Sequence, residues 1–199
     1  TVEKEFKCAR TFLKFVLELD NPPVIAKIKL PKKPKKGLSE IIPTQKEVKK
    51  FIDAVYVDGK QYTIRDQAIL ALINDTGARI SEALSIRNKH IKPEGNYLIV
   101  SFPESKTNPR TVISFLAKSY LENWAKVSPN KDADPDAFFF CQKDGKSVSY
   151  ASIKKSFHKA LSKSQIPWKD GQAMHYFRHI FTTRAFEWPY AIKQYWLGW

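Results

Sequence analysis

The spacing of apolar residues predicts helices along most of the chain. The capping box "TQKE" at Thr44–Glu47 opens a helix that continues to about residue 57. The run "TIRDQAILALINDTG" predicts a buried helix that ends at Gly77, and "RISEALSIR" predicts a shorter helix directly after it. Further helical segments are predicted near 116–126, 149–164, 173–187 and 190–198.

Two β-rich runs interrupt this helical pattern in the middle of the chain. "NYLIVSF" and "RTVISFL" flank "PESKTNP", which predicts a hairpin with Lys106 at its tip. The apolar run "AFFFC" predicts a short buried strand. The pattern as a whole therefore predicts an α+β fold that is mainly α with a small antiparallel β-sheet.

The first forty residues differ from the rest. "EFKCARTFLKFVLEL" has the spacing of one amphipathic helix, which predicts that residues 1–20 are the last helix of an N-terminal domain. Residues 21–39 hold four prolines, six lysines and no acid, which is typical of an extended basic linker. Its lysines are candidate DNA contacts: Lys27, Lys29, Lys32, Lys33, Lys35 and Lys36. Residues 40–199 form the predicted main domain.

Composition and charge narrow the partner class. The 199 residues carry a net charge of +14, which favours a polyanionic partner, nucleic acid before membrane, although an ordinary lysine-rich surface would give the same balance. Cys8 and Cys141 lie far apart and outside any CxxC pair, which favours a reducing compartment. No apolar run approaches the ~18 residues of a membrane span. We therefore expect an intracellular, cytoplasmic protein that does not enter a membrane.

Metal and cofactor motifs give little support to other enzyme classes. The acidic run "DADPDA" from Asp132 lacks the glycine and the glutamate that a calcium loop needs at its sixth and twelfth positions. The chain contains no HExxH, GxSxG or P-loop sequence. We therefore expect no metal and no cofactor.

Four cationic side chains are predicted at element boundaries. Arg79 begins a helix just after Gly77, where free N–H groups would add to its charge, and Lys106 occupies the hairpin tip. His175 and Arg178 lie at i and i+3, with His179 at i+4, so helical spacing predicts that they project toward one point. A solvated polar face, or a local pair between Arg79 and Glu82, would explain each feature singly. Together they favour an anion site.

These motifs resemble those of the tyrosine recombinases, the phage-integrase family, over residues 40–199. "TGARISEALSIR", "ESKTNPRTVI", "HYFRHIFTTR" and "YWLGW" follow the order of the family's motifs. The resemblance implies catalytic roles for Arg79, Lys106, His175, Arg178 and Trp199, and His179 would buttress the site. It also implies double-stranded DNA as substrate, no metal or cofactor, and assembly into a tetramer on DNA synapsis.

The resemblance departs from the family pattern at the nucleophile. The family's tyrosine lies roughly nine residues after the "LGW" element, so we expect residues 40–199 to end before it. Tyr190 and Tyr195 precede that element and are expected to pack the last helix. A non-catalytic DNA-binding relative, truncated or regulatory, and a type IB topoisomerase-like enzyme remain alternatives to a recombinase. The resemblance does not distinguish between three recombination reactions: integration, for example of a viral genome, excision and dimer resolution.

We predict that the six linker lysines contact the phosphate backbone of DNA. Replacing all six with alanine should flatten the dependence of log Kobs on log salt by about 0.9 for each phosphate that the protein no longer neutralises. Fluorescence anisotropy of a labelled duplex at several salt concentrations measures that slope. An unchanged slope would show that the linker does not touch the phosphates.

Overall fold

A computed structural model describes residues 43–105, 108–132, 134–164 and 174–198. The predicted terminal helix and linker, residues 1–39, lie outside these ranges. In the described residues seven α-helices are α1 Gln45–Ala54, α2 Gln61–Thr76, α3 Ile80–Ser85, α4 Lys118–Val127, α5 Tyr150–Ser164, α6 His175–Arg184 and α7 Tyr190–Leu197. Three strands are β1 Ile91–Glu94, β2 Tyr97–Phe102 and β3 Arg110–Ser114, and 3-10 turns cover Asn88–His90 and Ala185–Glu187. The prediction of a mainly helical fold with a small antiparallel sheet is confirmed.

Helix α2 forms the centre of the core. Ile69, Leu70, Leu72 and Ile73 lie on different sides of this helix, yet none of them is exposed to solvent. A helix that is apolar all round requires neighbours on every side. Helices α1, α3, α4, α5 and α6 and strand β3 all contact it.

The three strands form one antiparallel sheet in the order β1-β2-β3. Strand β1 was not predicted because Pro93 lies within it, and proline is tolerated in a strand only at an edge. On β2 the inward side chains alternate with outward ones, ending at Phe102, whose partner on β3 is Arg110. Because Arg110 occupies an inward position, its guanidinium group enters the core.

The predicted strand at "AFFFC" is wrong. The segment makes only two isolated bridges, between Arg87 and Phe138 and between Cys141 and Ser147. The indole of Trp124 donates to the carbonyl of Phe139 at 2.7 Å, and the amide of Asn130 donates to the carbonyl of Phe138 at 2.9 Å. These side chains occupy the backbone groups that a regular ladder would need.

The ends of several elements meet beyond the C-terminus of α2. Gly77 ends that helix in the left-handed conformation with φ +66°, and the chain then enters α3. Helix α6 packs against α2, and α7 packs against β3. The fold thereby brings together the α2–α3 turn, one side of the β2–β3 hairpin, α6 and the end of α7.

We predict that Gly77→Ala destabilises the fold by about 2–4 kcal/mol, since it combines a left-handed backbone with overpacking. An added Cβ would lie 2.5 Å from Cδ1 of Phe181. Gly59 is the matched control because its φ is +70° and nothing lies within 4 Å of an added Cβ. Gly59→Ala should cost only about 1 kcal/mol. Urea unfolding measures both, and equal destabilisation would show that the contact with Phe181 is not restrictive.

Candidate active site

Arg79 stands at the junction between α2 and α3, as predicted. Its guanidinium Nη1 donates to Oε1 of Glu82 at 2.8 Å, and its side chain is 25% exposed. Its backbone N–H donates to Oε2 of the same carboxylate at 2.8 Å. The expectation that this N–H is free for an anion is therefore wrong, because Glu82 already occupies it.

Glu82 connects Arg79 to a second arginine that the sequence analysis did not select. The carboxylate is buried and accepts from Nη2 of Arg110 at 2.7 Å and from Nη1 at 3.2 Å. The hydroxyl of Ser105 donates to it as well, at 2.9 Å. Burial would raise the pKa of Glu82, but the bonds from Arg110 and Arg79 outweigh burial and lower it to about 2. Glu82 is therefore ionised at neutral pH.

Arg178 is buried, with 5% of its surface exposed. Its Nη1 donates to the carbonyl oxygen of Gly77 at 2.5 Å, and its Nη2 donates to that of Leu197 at 2.6 Å. Burial, followed by the positive charge of Arg79, lowers the pKa of Arg178 to about 10. Arg178 still carries its charge at neutral pH and keeps further N–H groups for a ligand.

His175 and His179 occupy a more exposed face of α6 than Arg178 does. Their rings are 4.9 Å apart and nearly perpendicular. The prediction that all three side chains project together is thus only partly right, since Arg178 turns inward to Gly77 and Leu197. Burial lowers the pKa of His175, and the neighbouring His179, Arg178 and Arg79 lower it further. His175 is therefore mainly neutral at pH 7 and able to accept a proton.

The last turn of α7 is held by hydrogen bonds to its carbonyl groups. Gly198, with φ +62°, donates its N–H to the carbonyls of Gln194 and Tyr195. Nε of Arg110 donates to the carbonyl of Trp196 at 2.7 Å, and Arg178 occupies that of Leu197. All four carbonyls that a helix end leaves without intrahelical partners are satisfied. Two of them meet guanidinium groups, whose charge suits the negative end of the helix dipole.

The two tyrosines of α7 differ in their surroundings. The hydroxyl of Tyr195 donates to the carbonyl of Thr111 on β3 at 3.2 Å and accepts from its N–H at 3.4 Å. Tyr190 is 66% exposed and Tyr195 57%, so the expectation that they pack the helix is wrong for Tyr190, and Tyr195 is held through its hydroxyl. Tyr195 therefore fixes α7 to the sheet.

Lys106 and Trp199 lie outside the described residues, as do the six linker lysines. In the described part of the chain, the acidic, histidine and cysteine side chains form no cluster that could hold a metal. None of the described helices combines the length and apolarity needed to span a bilayer.

We predict that acid removes the stability that Glu82 contributes. Its pKa falls from an ordinary 4.5 to about 2 on folding, a shift worth about 3 kcal/mol. Because the folded-state pKa is depressed, this stability is present above pH 4.5 and is lost as the pH falls toward 2. Urea unfolding should therefore show Glu82→Gln less stable than wild type at pH 7, with the gap narrowing below pH 4.5 and closing only as the pH reaches about 2.

Glu122→Gln is the control for that experiment, because Glu122 forms a half-exposed pair with Lys118 on α4. Its difference from wild type should stay small across the same pH range. A constant gap between wild type and Glu82→Gln would contradict the low pKa.

Comparison with known sequences identifies relatives of the chain. Residues 43–199 match the profile of the phage integrase family. The chain is 29% identical over 145 residues to the tyrosine recombinase XerH of Campylobacter jejuni, covering 72% of this chain and 40% of that protein. It is 28% identical over 192 residues to the tyrosine recombinase XerC of Lactobacillus delbrueckii subsp. bulgaricus, covering 92% and 62%. The chain thus spans less than two thirds of the length of these relatives.

Solved structures share the fold. The XerH site-specific recombinase bound to difH substrate matches with a TM-score of 0.65 and 20% identity over 79% of this chain and 46% of that one. The XerA recombinase matches with a TM-score of 0.63 and 20% identity over 97% of this chain and 64% of that one. The fold is therefore that of a tyrosine recombinase catalytic domain. Because the family profile covers most of its length, this chain belongs to the phage integrase family.

Proposed function

We propose that this chain carries the DNA-cleaving site of a site-specific recombinase, which breaks and rejoins DNA through a 3′-phosphotyrosyl intermediate without a metal. The observation that carries the proposal is the approach of two guanidinium groups to one turn. Arg178 bonds the carbonyl of Gly77, and Arg79 follows two residues later. Both guanidinium groups are charged and form hydrogen bonds to buried partners. Each also keeps N–H groups that these partners do not use.

Such a pair suits a phosphodiester under attack. Negative charge builds on the non-bridging oxygens in the transition state, and fixed cations that are already oriented stabilise it without reorganising. Arginine supplies a planar fork that matches phosphate geometry. Because Glu82 and the carbonyls of Gly77 and Leu197 fix Arg79 and Arg178, the clamp is set before DNA binds.

The remaining groups would move protons. In the first step the phenol oxygen of a tyrosine attacks phosphorus, its proton leaves toward His175, and the bond from phosphorus to the 5′ oxygen breaks. We assign Lys106 as the acid that gives the departing 5′ oxygen its proton, and Trp199 as an indole N–H donor to the phosphate. Rejoining reverses these steps with the 5′ hydroxyl of another strand.

The partner we propose is double-stranded DNA. The net charge of +14 supports it, and one relative of the same fold is a XerH recombinase bound to its difH substrate. Exchange of strands between two duplexes requires several protomers, so we propose a homotetramer on synapsed DNA. Residues 1–20 would end a core-binding domain, residues 21–39 would follow the phosphate backbone, and the protein would act inside the cell.

The test is a nicked suicide substrate that traps a covalent adduct, resolved on a denaturing gel and mapped by mass spectrometry. The 199-residue chain should bind DNA without forming the adduct, whereas a longer polypeptide that adds a tyrosine at the family's position should form it. In that longer polypeptide, Arg79→Ala or Arg178→Ala should slow adduct formation by at least about 10²-fold with little change in DNA affinity. Arg79→Lys or Arg178→Lys should restore little of the adduct formation, since the point charge of lysine cannot replace the planar fork of the guanidinium group.

Lys143→Ala is the control, because Lys143 is exposed and its substitution should leave the adduct rate unchanged. Arg178→Ala also leaves two buried carbonyls unsatisfied, so its thermal unfolding is measured alongside. DNA binding without any adduct from the longer wild-type polypeptide would favour a non-catalytic DNA-binding protein. An adduct on Tyr190 or Tyr195 would show that the nucleophile is misassigned.

A further inference from the structure

We propose that Arg110 is a positioning residue, which holds Arg79, the part of the β2–β3 loop just before Lys106 and the segment before Trp199 in one arrangement. The inference rests on the proposed function, because it concerns how the same phosphate site is organised. Arg110 lies at the start of β3, and only 4% of its surface is exposed.

The guanidinium group of Arg110 makes hydrogen bonds in three directions. Nη2 and Nη1 donate to the two carboxylate oxygens of Glu82 at 2.7 and 3.2 Å. Nη1 also lies 3.3 Å from the hydroxyl of Ser105, and Nε donates to the carbonyl of Trp196 at 2.7 Å. The ring of Phe102 stacks below, with its centroid 4.8 Å from Cζ. The side chain therefore has little freedom to rotate.

Each bonded partner adjoins a residue that we assign to the site. Glu82 binds both the backbone and the side chain of Arg79, and Ser105 directly precedes Lys106 in sequence. Trp196 lies three residues before Trp199. Gly198 also packs closely against Arg110, because a Cβ added at Gly198 would lie 2.8 Å from Nη1 of Arg110. One side chain thus touches three separate segments that carry candidate catalytic residues.

Charge gives Arg110 a second effect on Arg79. Glu82 alone would neutralise Arg79, and a neutral ion pair attracts a phosphate weakly. Arg110 shares the same carboxylate, so the three side chains together carry a charge of +1 at neutral pH. Removing Arg110 would leave Glu82 to Arg79 alone and would cancel the net charge of this group of side chains, so that the phosphate would meet less positive charge beside Arg178.

Two substitutions separate geometry from charge. Arg110→Lys keeps the charge but cannot make all four hydrogen bonds, whereas Arg110→Gln removes the charge as well. Arg65→Lys is the matched control, because Arg65 is also buried and bonds a carboxylate and a carbonyl, those of Asp66 and Cys141. It lies near the opposite end of α2, about 18 Å along the helix from Gly77.

The first measurement needs neither DNA nor a nucleophile. Inorganic phosphate is titrated into the 199-residue chain while the side-chain Nε–H of Arg79 and the ring of His175 are followed by NMR. We expect Arg110→Lys to weaken phosphate binding by about tenfold and Arg110→Gln to weaken it more. Arg65→Lys should lower Tm by a similar amount to Arg110→Lys and yet bind phosphate as well as wild type does. Equal binding by wild type and Arg110→Gln, or no binding by wild type, would overturn the proposal.

The second measurement is cleavage by the longer polypeptide at saturating DNA. Substrates carry either a phosphate or a neutral methylphosphonate, with one non-bridging oxygen replaced by a methyl group, at the cleavage point. If Arg110 acts by keeping positive charge on the phosphate, Arg110→Gln should slow cleavage at least about tenfold on phosphate and clearly less on methylphosphonate. Equal effects on both substrates would mean that Arg110 only stabilises the fold.

The two proposals fail in different ways. A wild-type polypeptide that forms no adduct would overturn the proposed function, while the phosphate titration would still decide the role of Arg110. If a variant does not fold, its Tm reveals this, and the other substitution at residue 110 is used in its place.

Discussion

The site depends on one buried carboxylate, that of Glu82. A lone ionised carboxylate in a protein interior is unstable, and here two guanidinium groups and a hydroxyl compensate it. The partners come from the α2–α3 junction, from β3 and from the segment after β2. Since a buried charge cannot be left unpaired, these three pieces of chain are forced into one arrangement.

A second set of contacts joins this arrangement to α6 and α7. Arg178 crosses from α6 to the carbonyls of Gly77 and Leu197, and Arg110 reaches the carbonyl of Trp196. The same guanidinium groups therefore hold the α2–α3 turn and cap the last helix. Burial, together with the nearby His179, Arg178 and Arg79, lowers the pKa of His175, so His175 and the cations of the site are electrostatically coupled.

Local patterns predicted the helices and the candidate cations but not the distant partners. Helical spacing and the capping box located most elements, because those signals lie within a few residues. Arg178 shares a helix face with His175 by spacing, and only the packing of α6 against α2 turns it inward. The burial of Arg110 could have been predicted from the sequence, since the alternation of side chains along β3 puts it on the buried face with Val112. Its pairing with Glu82 spans 28 residues and follows no local rule.

The strand predictions failed for similar reasons. Pro93 concealed β1 because proline seldom occurs inside strands, although an edge position tolerates it. The apolar run at 137–141 matched a buried strand, but its carbonyls bond Trp124 and Asn130 from outside the run. The alternation of apolar and polar residues indicates which side chains are buried. It does not indicate which groups form hydrogen bonds with the backbone.

Three of the groups that hold the arginines are main-chain carbonyls, those of Gly77, Trp196 and Leu197. Every amino acid supplies such an oxygen, so most substitutions at residues 196 and 197 leave these hydrogen bonds in place. A change in the length of α7 acts differently, because one residue inserted or deleted within this helix rotates its last turn by about 100° relative to its first and moves the carbonyls away. Homologous sites built in this way can therefore diverge widely in side chains near the end of α7 while keeping the length of that helix nearly constant.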